Sequence, residues 1–127
     1  MLTRLPLPLQ FDTGLRHAYA GCMTLARKKL GVLISVPPQH PNFNHGVHLA
    51  KAALAQGADV YLYCIDEAVH GLSDARLCRL KADGLKLFAC AYGAQRRNIP
   101  LSEHATFGGL SLLNELIGGT DRFVSFN

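Results

Sequence analysis

The chain has 127 residues, enough for one domain and one core. Hydrophobic residues make up 49% of it and charged residues 17%, against roughly 25% charged in ordinary globular domains. Disorder is excluded, and a self-association surface is expected. The net charge of +4 comes from bases scattered between Arg4 and Arg122, with no tryptophan and no basic stripe, so direct nucleic-acid binding is not expected.

Residues 1–22 lack periodicity, and the expectation is a single domain spanning 1–127 with an N-terminal arm over 1–26. Pro6 and Pro8 break the apolar start, and no run approaches the roughly 20 residues of a membrane span. The expectation is a cytoplasmic protein without membrane contact, its four cysteines reduced.

Lys29–Val36 is a buried strand stopped by Pro37-Pro38. Asn44 caps a helix over His45–Gln56, closed by Gly57. Asp59–Ile65, β-branched and aromatic, is a second strand. Ser73 or Asp74 caps a short helix running through Ala82 and ended by Asp83-Gly84. Leu85–Cys90 is a third strand and Ala91–Asn98 a short helix behind it. The spacing then predicts a turn at Pro100–Glu103, a helix over Thr106–Ile117 stopped by Gly118-Gly119, and a last strand at Arg122–Phe126. Strands alternating with helices imply right-handed crossovers. The fold class is α/β: a flavodoxin-like three-layer α/β/α sandwich on a mostly parallel sheet of four or five strands.

Chemistry in such sheets gathers beyond the carboxyl ends of the strands. That rule selects Pro37–His48, Ile65–Ser73 and Cys90–Gly93, leaving Cys22 and Cys78 aside. Cys90 is the sharpest candidate, because it closes a strand and opens a helix whose free N–H groups favour negative charge. Arg96 and Arg97 follow two turns later and add positive potential or are simply solvated. Cys64 reaches the same rim, although an inert core thiol fits its surroundings better. His40, His45 and His48 share one loop and one helix start, His45 and His48 at i,i+3. With Cys64 or Cys90 they outline a rim pocket for a ligand, yet no C-x-x-C or H-x-x-x-H spacing supports a metal, and none is assigned. No Gly-rich phosphate loop follows the first strand, and neither a paired-carboxylate nor a Ser-His-Asp site can be assembled.

Leu87–Ile99, LFACAYGAQRRNI, resembles the cysteine segment of the DsrE/DsrF-like sulfur-relay family, closest to its DsrE and TusD branch. LGVLISVPP with LAKAALAQGADVYLYCIDEAV resembles that family's first strand, first helix and second strand. FGGLSLLNELIGGTDRFVSF resembles its final helix and strand. The resemblance covers Leu30–Phe126; the arm before Arg27 has no counterpart in it. It implies a carrier rather than a stand-alone turnover enzyme, with Cys90 as the sulfur-binding cysteine and no cofactor. It further implies donor and acceptor proteins of a relay. It also implies a homo-oligomer (dimer, trimer or hexamer) or a hetero-oligomer with related subunits. The rival expectation is an oligomeric flavodoxin-like module without sulfur transfer, in which His40, His45, His48 and Cys64 line a rim pocket for a metal or small ligand and Cys90 is only part of its wall.

Overall fold

A computed structural model describes residues 25–127, so most of the N-terminal arm, including Cys22, lies outside the described residues. The strands are β1 (Lys29–Ile34), β2 (Asp59–Cys64), β3 (Lys86–Cys90), β4 (Thr106–Gly108) and β5 (Arg122–Phe126). The helices are α1 (Pro41–Ala55), α2 (Ala75–Ala82), α3 (Ala91–Arg96) and α4 (Leu110–Gly119), with a 3-10 helix at Asp66–Gly71. One sheet runs β4-β3-β2-β1-β5, every pair parallel.

The two faces of this sheet are built differently. One carries Val32, Ile34, Val60, Leu62, Cys64, Leu87 and Ala89, which pack with Val47 and Ala50 of α1 and Leu77 and Leu80 of α2 in a continuous apolar core. The other presents Leu33, Tyr61, Tyr63, Phe88, Cys90 and Phe123 to Leu112, Leu113 and Leu116 of α4. Sequence neighbours on a strand point to opposite faces, and this alternation separates Tyr63 from Cys64. On the α4 face Phe123 lies against β1 so closely that a Cβ at Gly31 would collide with its ring, which favours glycine there.

Local chemistry explains the helix ends. α1, α2 and α3 finish alike: Ala58, Leu85 and Ile99 donate backbone N–H groups to the carbonyls of Ala53, Leu80 and Ala94. The residue before each donor is left-handed: Gly57 (φ 90), Gly84 (φ 113) and Asn98 (φ 56). α4 instead accepts the Thr120 hydroxyl on the Leu116 carbonyl at 2.9 Å. The last strand is locked to the first, as Asp121 N–H donates to Lys29 O and Lys29 N–H donates to Asp121 Oδ2, both at 2.8 Å.

Two expectations need correction. α1 begins at Pro41, not at His45, because His40 Nδ1 accepts the Asn42 N–H at 3.1 Å and Pro41 suits the first helical turn. The helix expected from Thr106 is a strand as far as Gly108, capped by the extended Gly109, and the helix starts only at Leu110. Thr106 and Phe107 find partners on β3, opposite Phe88 and Ala89, and that pairing outweighs their place in an apolar helical pattern. The sheet therefore has five strands.

Candidate functional site

Cys90 ends β3 and is the N-cap of α3, where its Sγ accepts the Gly93 N–H at 3.3 Å. Only 6% of the residue is exposed. Gly93 sits directly against the sulfur, where a Cβ would stand 3.7 Å from Sγ, in ordinary van der Waals contact. The thiol opens onto a pocket of about 530 Å³ whose walls include Ile65, Asp66, Tyr92, Arg96, Gly109 and Leu110.

The two arginines behave differently. Arg97 Nε donates to Glu67 Oε2 at 2.8 Å, its Nη2 lies 2.7 Å from the same oxygen, and its Nη1 donates to the Gly93 carbonyl at 3.2 Å. It therefore clamps the 3-10 helix to α3, and most of its charge is compensated. Arg96 is exposed; its Nη1 donates to the Tyr92 hydroxyl at 3.1 Å, and among the described residues no carboxylate pairs with it. Asp66, in the left-handed region at φ 52, turns the chain from β2 into the 3-10 helix beside the pocket, a conformation that aspartate tolerates better than most residues.

Beneath the pocket lies Tyr63, fully buried, whose hydroxyl is 3.2 Å from the Gly108 carbonyl and 3.3 Å from that of Gly109. Burial first, and then the neighbouring Cys90, push its phenol well above the ordinary tyrosine value.

Of the residues singled out from sequence, the structure brings Cys90, Arg96 and Arg97 into one pocket. Cys64 is fully buried among apolar side chains on the opposite face, where burial pushes its thiol up to about 12. His40 caps α1 and is exposed, as are His45 and His48. None of the three lines the Cys90 pocket, because their strand, β1, is separated from β3 by β2. Asn42 of this segment reaches the other way, its Nδ2 donating to the Asn127 carbonyl at 2.6 Å. Among the described residues no group of three His, Cys, Asp or Glu side chains could hold a metal ion, and no helix is long and apolar enough to cross a membrane. Sequence reasoning missed Gly109 and Leu110, hidden in the expected helix, and Tyr63. The period-2 pattern of YLYC was the available signal for Tyr63, since it sets Tyr61 and Tyr63 on the face opposite Cys64.

The sequence profile of the DsrE/DsrF-like family matches residues 28–126. The chain belongs to the DsrE/DsrF-like family. A similar solved structure is the crystal structure of the ychN protein from E. coli, 21% identical, with a TM-score of 0.69 over 79% of this chain and 99% of that one. It shares the α/β fold described above. No curated protein matches the chain.

Proposed function

We propose that this DsrE/DsrF-like protein is a sulfur carrier that accepts sulfane sulfur on Cys90 and passes it to a thiol of a partner protein. The observation that carries the reading is the placement of Cys90: a strand-end cysteine with an N–H donor on its sulfur, opening onto a pocket lined by Arg96, which pairs with no carboxylate among the described residues. In the loading step the Cys90 thiolate attacks the outer sulfur of a donor persulfide. A new S–S bond forms, the donor's S–S bond breaks, and the donor leaves as a thiolate. In the unloading step an acceptor thiolate attacks the outer sulfur of Cys90–S–SH and Cys90 leaves in turn. Sulfane sulfur changes hands with no net oxidation, so no cofactor is required. Arg96 steadies the anionic outer sulfur, and Arg97 holds the pocket wall. Apolar side chains exposed near the pocket and elsewhere (Tyr92, Leu101, Leu110, Ile117) suit donor and acceptor proteins and an oligomer of like or related subunits.

The test is the intact mass of the reduced protein after exposure to polysulfide, beside Cys90→Ser. The reading expects a gain of one or more sulfur atoms, reversed by reductant and absent from the variant. No gain, or equal gain in the variant, would refute it.

A further inference from the structure

Gly93 is held at two points. Its N–H donates to Cys90 Sγ at 3.3 Å, and its carbonyl accepts Arg97 Nη1 at 3.2 Å. The backbone amide of Arg97 goes elsewhere, to the Ala94 carbonyl at 3.1 Å, so it is the guanidinium that reaches back one turn to Gly93. Arg97 is in turn held by Glu67, whose Oε2 accepts Nε at 2.8 Å and lies 2.7 Å from Nη2. The other carboxylate oxygen, Oε1, stands 3.4 Å from His70 Nε2 and gives the carboxylate a second anchor.

A chain of contacts therefore runs from Glu67 through Arg97 and Gly93 to Cys90, out of the 3-10 helix and into the first turn of α3. That turn cannot hold itself. α3 has six residues, well under the length at which a helix persists alone. Its third residue is glycine, which leaves the backbone beside the sulfur free to take conformations that other residues refuse. Gly93 also stands against the 3-10 helix, where a Cβ would lie 3.6 Å from Asp66 N and 3.5 Å from Cys90 Cβ. Its placement between those neighbours decides whether its N–H meets the sulfur, since a hydrogen bond weakens steeply once donor and acceptor lose alignment. Glu67 is half exposed, so solvent screens its ion pair and little stability comes from it. The consequence of the pair is positional.

We infer that Glu67 is a positioning residue for Cys90, acting through the Arg97 guanidinium to keep the Gly93 N–H on the sulfur. The inference rests on the Cys90 reading for its part in sulfur transfer, while the hydrogen bonds that carry it serve any chemistry of that thiol. Without the carboxylate, water competes for the guanidinium and the Gly93 carbonyl loses a fixed donor. Glutamine at position 67 keeps an oxygen for Arg97, whereas alanine does not. Because Glu67 acts through Arg97, removing it from a chain that already lacks the guanidinium changes nothing more.

The experiment measures Cys90 alkylation by iodoacetamide, a neutral reagent, at one pH near neutrality and by peptide mass. The full chain is compared with Glu67→Ala, Glu67→Gln, Arg97→Ala and the double alanine variant, and sulfur loading from polysulfide is measured on the same samples. Glu67→Ala and Arg97→Ala are each expected to lower the rate about fivefold, the worth of one hydrogen bond, while Glu67→Gln stays within about twofold of the unmutated chain. The double variant should match Arg97→Ala. Hydrogen exchange separates positioning from general loosening. In Glu67→Ala the Gly93 amide should exchange about fivefold faster, with the Ile99 amide, bonded to the Ala94 carbonyl, unchanged. Unaltered or faster alkylation in Glu67→Ala, glutamine no better than alanine, multiplied losses in the double variant, or equal acceleration of both amides would overturn the inference. The expected rates without loading in any of the proteins would support Glu67 and reject the carrier reading; loading with unaltered rates would do the reverse. Should Arg97→Ala fail to fold, the two variants at the half-exposed Glu67 and the two amides decide alone.

Discussion

Cys64 and Cys90 end neighbouring strands one register step apart, Cys64 standing opposite Ala89, yet they face opposite sides of the sheet. Cys64 points into the layer under α1 and α2, belongs to its apolar cluster and is sealed from water. Cys90 points toward α4, where Gly93 supplies a donor and the chain leaves an open pocket. The two thiols differ by the face they occupy rather than by their position along the chain. One face is core throughout, and the other gives up packing at one end to make room for chemistry.

The largest expected difference is in reactivity. With its thiol pushed up to about 12 and no route to solvent, Cys64 should alkylate in the native protein at least about 1000-fold more slowly than Cys90. Both should label alike once the protein is unfolded in denaturant. Comparable native rates, read by peptide mass, would erase the contrast.

The faces should also differ in what truncation costs. Leu77→Ala, at a fully buried residue of α2, is expected to lower unfolding stability by about 3 kcal/mol. Leu116→Ala, at a residue of α4 that is 9% exposed, should cost about 2 kcal/mol, because water reaches part of the space it vacates. Urea melts of the two variants give the comparison, and a larger loss at Leu116 would show that the α4 face is the tighter one.

The same contrast applies to the cysteines themselves. Cys64→Ser places a hydroxyl inside an apolar cluster and should cost about 2 kcal/mol. Cys90→Ser retains an acceptor for the Gly93 N–H and should cost less than about 1 kcal/mol. Equal melting midpoints for the two variants would contradict the assignment of faces.

The smallest effect concerns the anchoring of α2. Asp74 caps that helix, accepting Arg76 N–H at 2.8 Å and the Arg76 guanidinium at 3.0–3.1 Å, and these hydrogen bonds hold its carboxyl below the usual carboxylate range. The folded value is the lower one, so the stabilisation is fully present above the ordinary value of 3.8 and is lost as pH falls through the depressed one. Asp74→Asn, which keeps the cap but not the charge, should lose a few tenths of a kcal/mol near neutrality and flatten that part of the acid limb in melts against pH. An unchanged limb would assign the acid sensitivity elsewhere.

Much of this was legible in the sequence wherever the cause was local. Gly57 and Gly84 take the left-handed residues that end α1 and α2, and the apolar runs of β1 to β3 need no tertiary information, although β1 ends at Ile34, before Pro37-Pro38 is reached. Cys90 was legible too, because a strand end followed by small residues fixes its place on the rim. What escaped depends on pairing. Thr106–Gly108 is a strand only because β3 offers it an edge, and that edge turns Gly109 and Leu110 from helix interior into pocket wall. Which rim segments meet is likewise set by strand order: β1 lies beyond β2 from β3, and this takes His40, His45 and His48 away from Cys90. Tyr63 was visible as a residue, but its meaning depends on a carbonyl pair 45 and 46 residues along the chain.

The most direct test of the account is to map, in the unmutated chain, which cysteine carries added sulfur after brief exposure to polysulfide, using alkylation followed by peptide mass. The account predicts the extra sulfur on the peptide containing Cys90 and none on the peptide containing Cys64. Sulfur on Cys64, or spread evenly over the cysteines, would contradict it.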